Sequence, residues 1–174
     1  DTSFGADLTV IEEGNEFLKR YQEKKNLPQF TSCCPAWVKF AEQYYPDMLD
    51  NLSSCRSPQQ MFGSLCKDQL VKSLDIPRED LVVVSIMPCT AKKFEAQRPE
   101  FTVDGNPDVD YVLTTQELSL MIREQGISFA HLDPGSFDMP FGFKTGAGVI
   151  FGTSGGVSEA VLRYAASAMG VNGP

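Results

Sequence analysis

Residues Leu81 to Met87 read LVVVSIM, a run rich in β-branched side chains that lacks the alternation of a half-exposed strand. Such a run predicts a strand buried on both faces in a parallel sheet. Pro88 cannot donate to a sheet ladder, so the strand stops there and Cys89 falls at its carboxyl end, where open α/β sheets place ligands and chemistry. A second short strand is expected over Tyr111 to Thr114. It leads into TTQELSLMIREQG, a helix with Thr115 and Glu117 at its start and Gly126 at its close. The strand-helix rhythm predicts an α/β fold with parallel-sheet lobes flanked by helices.

Helices precede the strands. From Leu8 the pattern LTVIEEGNEFLKRYQEK predicts a helix to about Lys24, with Leu8, Ile11, Phe17, Leu18 and Tyr21 toward the core and Glu13 and Glu16 together on a neighbouring side. TSCCPAWVKFAEQYY restarts a helix with Pro35 near its first position and Trp37, Phe40, Ala41 and Tyr44 as its buried stripe. Cys33 and Cys34 thus lie at a helix start, where free N–H groups and the helix dipole favour a thiolate. A third helix is expected over Pro58 to Leu74, entered through Ser57, with Met61, Phe62, Leu65 and Leu70 inward and Cys66 within it. Residues 130–148 read as a long loop over a site. VIFGTSGGVSEAVLRYAASAMG then predicts a short strand, a glycine turn and a helix whose inner face carries Val157, Val161, Leu162, Ala165 and Met169.

The chain has 174 residues, 15 Lys and Arg against 23 Asp and Glu, and a formal net charge of -8. That length allows about 70% of the surface to be buried on folding, and the acidic balance argues against a nucleic-acid partner. No apolar run reaches membrane-spanning length, so no membrane insertion is expected. An opening without an initiator Met, entering an amphipathic segment almost at once, is expected of a piece of a larger protein.

Five cysteines and one histidine favour an iron-sulfur centre or zinc over an oxygen-ligand site. Cys34 and Cys89 are the first candidates, with Cys33, Cys55 or Cys66 in support. Their spacing matches neither a ferredoxin run nor a zinc finger, and inert buried cysteine is the rival reading. The glycines of Gly152 to Gly156 lack a Walker lysine and the full dinucleotide fingerprint, so close backbone approach is the better reading. His131 is not expected to be a ligand.

Two segments carry a specific resemblance. Thr31-Ser32-Cys33-Cys34-Pro35-Ala36-Trp37 and Met87-Pro88-Cys89-Thr90-Ala91-Lys92-Lys93-Phe94-Glu95 resemble signatures of the catalytic domain of iron-iron (FeFe) hydrogenases. Leu52-Ser53-Ser54 and Ser57-Pro58-Gln59-Gln60-Met61 resemble that family at compatible spacing. Phe4-Gly5-Ala6-Asp7, Glu12-Glu13, Phe151-Gly152 and Gly155-Gly156-Val157 extend the similarity over essentially the whole chain.

The resemblance implies that residues 1–174 form part of the domain that carries the H-cluster, a 4Fe-4S cubane linked to a diiron subsite with carbon monoxide, cyanide and a bridging dithiolate amine. It places the Cys34 and Cys89 segments at the cluster cavity, with Cys34 and Cys89 as the first two cubane ligands. The two remaining cysteines belong to a third signature that this sequence lacks, and they are expected from the remainder of the chain or a complementary subunit. By the same resemblance Cys33 passes a proton to the bridging amine, and a relay continues through Glu13, Ser53 and Glu16. Lys92 donates to a cyanide ligand, with Glu95 as a candidate anchor, Met87 packs over the diiron subsite, and Ser57 and Gln59 line the pocket.

A thiol suits the terminal donor role because its ordinary pKa permits reversible transfer near neutral pH, and carboxylates relay behind it if burial raises theirs. The implied reaction is reversible oxidation of hydrogen and reduction of protons, with ferredoxin or another carrier exchanging electrons. The alternative is a hydrogenase-like iron-sulfur protein for sensing or cluster assembly, without diiron catalysis. The blander alternatives are solvated carboxylates at Glu13 and Glu16, an exposed Lys92 and a core Met87. A cytoplasmic location is expected, with periplasmic or organellar placement open because the family includes exported members.

Overall fold

The computed structural model describes residues 1–171. In chain order its helices are α1 (Thr2–Glu23), α2 (Pro35–Tyr44), α3 (Pro58–Leu65), α4 (Val71–Leu74), α5 (Ala91–Ala96), α6 (Thr115–Glu124), α7 (Gly146–Ile150) and α8 (Gly156–Ala168). Its strands are β1 (Val84–Met87), β2 (Thr102–Val103), β3 (Asn106–Pro107) and β4 (Tyr111–Thr114). The chain divides into two compact units, Asp1–Met61 with Met139–Pro174, and Phe62–Asp138.

In the first unit α1 starts six residues earlier than its apolar pattern indicates, because the Asp1 carboxylate caps it by accepting from the Ser3 N–H. Its buried residues are Gly5, Ala6, Thr9, Val10, Glu13 and Gly14. Ile11 and Tyr21, expected inside, are exposed. The cause is close packing on α8. A Cβ added at Gly14 would lie 2.3 Å from the Tyr164 ring, and Tyr164 Oη donates to Asn15 Oδ1 at 2.9 Å. Small residues let two helices approach in this way, so the larger side chains of α1 are displaced from the contact.

The same correction applies to α2 and α8. Ala41 is buried, but Tyr44 is 67% exposed and Phe40 is exposed with it. Phe40 stacks in a surface aromatic row between Trp37, Tyr44 and Tyr45. In α8 the buried residues are Val157, Ala160, Val161 and Ala165, while Leu162 and Met169 face solvent. The expected strand at Val149-Ile150 is instead part of α7. Asp7 explains that difference: its carboxylate accepts from the Thr145 N–H at 2.6 Å and the Gly148 N–H at 2.7 Å, which caps a helical turn. Gly155 (φ 88°) and Gly156 (φ 49°) make the turn into α8, left-handed backbone that glycine adopts without strain.

In the second unit β1 and β4 pair in parallel, Val84 with Tyr111 through Met87 with Thr114. This is the α/β arrangement expected, with α5 and α6 packed against the two strands. The core holds Met87, Ala96, Val109 and Val112, with Val83 against it. Burial on both faces does not hold, since Val84 is 51% and Ile86 45% exposed. Alternate residues point to opposite faces, and the helices cover the one that carries Met87 and Val112. The third helix runs as α3, a π-helical turn over Cys66–Leu70 and α4, end to end.

That turn carries Lys67 inward. Its buried ammonium pairs with Asp110 at 3.0 Å and donates to the Leu81 carbonyl at 2.5 Å. Asp110 in turn accepts from the Val83 N–H at 2.7 Å, so one ion pair fixes the starts of both parallel strands. The capping box expected near Thr115 is present one residue earlier: Thr114 Oγ1 accepts from the Glu117 N–H and Glu117 Oε2 from the Thr114 N–H.

Candidate functional site

In the first unit a backbone bridge sets the geometry. Phe30 pairs in parallel with Leu52: the Phe30 N–H donates to the Asn51 carbonyl and the Ser53 N–H to the Phe30 carbonyl, each at 2.8 Å. The segment leading to Cys33 and Cys34 is thereby laid beside Ser53, and the hydroxyls of Ser32 and Ser53 meet at 3.0 Å. Ser53 Oγ donates to Glu13 Oε2 at 2.7 Å, and Gln29 Nε2 donates to Glu13 Oε1 at 3.0 Å. Glu13 itself is 0% exposed. Burial pushes its carboxyl above the ordinary value and outweighs the opposing hydrogen bonds from Ser53 and Gln29, while the nearby charge of Glu16 adds to the rise.

Glu16 sits one turn further along α1 and accepts from Arg20 Nη2 at 2.5 Å and from the Ser54 N–H and hydroxyl. Cys55 Sγ lies 3.6 Å from Glu16 Oε2. Arg20 is itself locked, its guanidinium donating to the carbonyls of Asn26, Asp50, Asn51 and Leu52. Glu12, Asn15, Glu16, Lys19, Cys55 and Met61 line an open hollow of about 530 Å³. A buried carboxyl is thus linked by hydroxyls toward the Cys33 segment, beside a second carboxylate on an open hollow. Ser53 bonds to Glu13 and Glu16 lies one turn along α1, bonded by Arg20, Ser54 and Cys55 and, among the described residues, not by Ser53.

Cys34 is the N-cap residue of α2, and its exposed side chain makes no capping hydrogen bond. Cys33 beside it is half-buried. Ser57 and Gln59 are buried at the start of α3, where Ser57 Oγ accepts from the Gln60 N–H at 3.3 Å. Gln60 is fully buried, and neither polar atom of its side chain has a hydrogen-bond partner among the described residues. Buried amides without partners are uncommon, so this turn is built to receive a polar group.

In the second unit Cys89 follows β1 as expected and is exposed. The Ala91 N–H, at the start of α5, donates to Cys89 Sγ at 3.4 Å. Lys92 is half-buried and its ammonium lies 3.2 Å from Glu95 Oε2, so Glu95 is its anchor. Met87 is in the core. Burial raises the Cys66 thiol. Among the described residues no three His, Cys, Asp or Glu side chains cluster as a metal site. His131 is exposed, with Nδ1 2.7 Å from Ser128 Oγ.

A family model described as the iron only hydrogenase large subunit, C-terminal domain, matches residues 1–173. The chain belongs to this family. It is 56% identical, over 95% of its length, to the NADP-reducing hydrogenase subunit HndD of Solidesulfovibrio fructosivorans, of which it covers 29%. It is 48% identical, over 97% of its length, to the periplasmic iron hydrogenase large subunit of Nitratidesulfovibrio vulgaris, of which it covers 41%. A cytosolic iron-sulfur cluster assembly factor of Xenopus tropicalis is 36% identical over 95% of the chain, which covers 37% of that relative. Among solved structures, a variant of the apo FeFe-hydrogenase HydA1 from Chlamydomonas reinhardtii superposes with a TM-score of 0.83 at 49% identity. That superposition covers 95% of this chain and 42% of the other. The FeFe-hydrogenase family, read from the resemblance of the cysteine signatures, and the α/β fold, read from the strand-helix rhythm, therefore hold. The chain spans well under half the length of these relatives.

Proposed function

We propose that the protein containing this chain oxidises molecular hydrogen and reduces protons reversibly, and that residues 1–174 form part of its H-cluster domain. Cys34 and Cys89 would hold the 4Fe-4S cubane through Sγ, and the rest of the protein or a complementary subunit would supply the other two ligands. The donor chemistry fits: two exposed thiols stand at helix starts, one of them receiving a backbone N–H, and a buried polar turn carries Ser57, Gln59 and Gln60. When bound, the H-cluster supplies the iron centre at which hydrogen is split or formed.

The residues of this chain manage protons and charge. Cys33 gives and takes a proton at Sγ. Glu13 holds a proton that a solvated carboxylate would release, because burial raises its carboxyl. Ser53 Oγ, donor and acceptor at once, keeps Glu13 in line, and Glu16 opens the path to the hollow. When the cluster is bound, Lys92, held by Glu95, would offer a cation to its anionic cyanide, and Met87 would present its thioether to the diiron subsite. A ferredoxin-type carrier exchanges the electrons.

The observation that carries this reading is the fully buried Glu13, hydrogen-bonded through Ser53 and Ser32 to the Cys33 segment. A protein that only held or assembled a cubane has no use for a buried proton relay. The second reading, a cluster assembly factor, draws on the relative from Xenopus tropicalis at 36% identity, against 56% and 48% for the two hydrogenases. The test is hydrogen turnover by the whole protein at matched iron content. Glu13→Gln and Cys33→Ser should each lose about a hundredfold or more while iron content is unchanged. Full turnover in either variant contradicts the relay.

A further inference from the structure

Parallel strands joined by a crossover have no hairpin turn to set their register. β1 and β4 are joined in this way through residues 88–110, and hydrophobicity does not choose their register either. On β1 Val82, Val84 and Ile86 are exposed, while Val83 and Met87 pack in the core, so both sides of the segment are apolar. On β4 Tyr111 is exposed where Val112 is buried. A slip of one residue would exchange these faces at small hydrophobic cost. It would also carry the end of β1, with Cys89 beyond it, about 3.3 Å along and turn it over.

Polar contacts decide the register instead. Gly63 lets the helix α3 come close, since a Cβ there would lie 2.7 Å from the Asp108 carbonyl oxygen and 2.5 Å from Val109. One turn further on, the π-helical turn Cys66–Leu70 brings the fully buried Lys67 ammonium to Asp110 at 3.0 Å and to the Leu81 carbonyl. The same Asp110 carboxylate oxygen accepts from the Val83 N–H at 2.7 Å, and the Asp110 N–H donates to the Val83 carbonyl at 3.0 Å. Val83 and Asp110 stand immediately before the first pair of the ladder, Val84 with Tyr111. In a slipped register the Leu81 carbonyl and the Val83 N–H move off this ion pair, which leaves buried polar groups without partners.

We propose that Lys67 is a positioning residue for Cys89: by locking β1 against β4 in one register it fixes where the Cys89 thiol stands. The inference rests on the reading of Cys89 as a cubane ligand. Metal ligation tolerates about 0.2 Å, far less than a one-residue slip, so loss of the lock is felt at the ligand as well as in stability.

The experiment uses the whole protein at a temperature where circular dichroism shows each variant folded. Lys67→Met should retain about half of the parent's iron or less, as should Cys89→Ser. If Lys67 acts through Cys89, the double variant Lys67→Met/Cys89→Ser should hold as much iron as Cys89→Ser alone, because no thiol is left to place. In the iron-free protein, amide hydrogen exchange over Val84–Met87 should be about tenfold faster in Lys67→Met, with α8 unchanged. Where Lys67→Met does not fold, Asp110→Asn, which keeps an acceptor for the Val83 N–H, makes the same comparisons. Full iron in Lys67→Met overturns the proposal, as do additive losses in the double variant or unchanged exchange in β1. Full iron in Cys89→Ser overturns the ligand assignment, and this inference with it. Failure confined to the Lys67 and Asp110 variants leaves that assignment standing.

Discussion

Glu13 is a carboxyl that the fold removes from water, and a carboxylate so placed is stable only if it is neutral or well paired. Its partners are two neutral donors, Ser53 and Gln29, and burial prevails over them, so its pKa rises from 4.5. The sign for stability follows. The native state binds the proton more tightly than the unfolded chain, so this contribution is present below about pH 4.5 and is lost as pH rises through the higher native value. Urea midpoints across that range should fall with rising pH, and Glu13→Gln, a neutral isostere, should flatten the fall; an unchanged slope contradicts the raised carboxyl. At this scale the sequence exposes Glu13 and Glu16 through their three-residue spacing, and Cys33, Cys34 and Cys89 through their signatures. Arg20, four residues past Glu16, is open to the same helical argument. Ser32, Gln29, Ser54 and Cys55 carry no such periodicity, because they reach the cluster only through the pairing of Phe30 with Leu52.

Elements were legible where a local signal decides them. Pro35 starts α2, Pro88 ends β1, and Glu117 marks the start of α6, though its capping partner is Thr114 and not the expected Thr115. Faces were less legible, because hydrophobicity marks large side chains whereas α1 meets α8 through small ones. Gly14→Ala tests that packing: its Cβ would overlap the Tyr164 ring, and thermal or urea unfolding should show a loss of about 1–3 kcal/mol. A neutral or stabilising result would mean that the two helices separate freely. The parallel pair depends on a different contact. Lys67→Met removes the cation that fixes Asp110, Leu81 and Val83, and should cost about 3–5 kcal/mol, since breaking a buried ion pair leaves its partner uncompensated. No loss in the same unfolding measurement would show that strand register is set elsewhere.

For the whole molecule, the family was reached through the resemblance of the cysteine segments, since their spacing alone matches neither a ferredoxin run nor a zinc finger, while the strand-helix rhythm gave the α/β fold. What the whole protein does reaches beyond this chain, which covers 29% of one hydrogenase relative and 41% of another. Cys34→Ser and Cys89→Ser bear on the shared ligand set: each should lower the iron retained by the whole protein, while Cys66→Ser, a buried thiol outside that set, should not. The most direct measurement is infrared spectroscopy of the whole protein purified without oxygen. A hydrogenase shows carbon monoxide and cyanide stretching bands, and the Cys34 and Cys89 variants should lose them together with iron. Iron and a cubane signal with no such bands in the parent protein would contradict the assignment and leave a cluster-holding protein in its place.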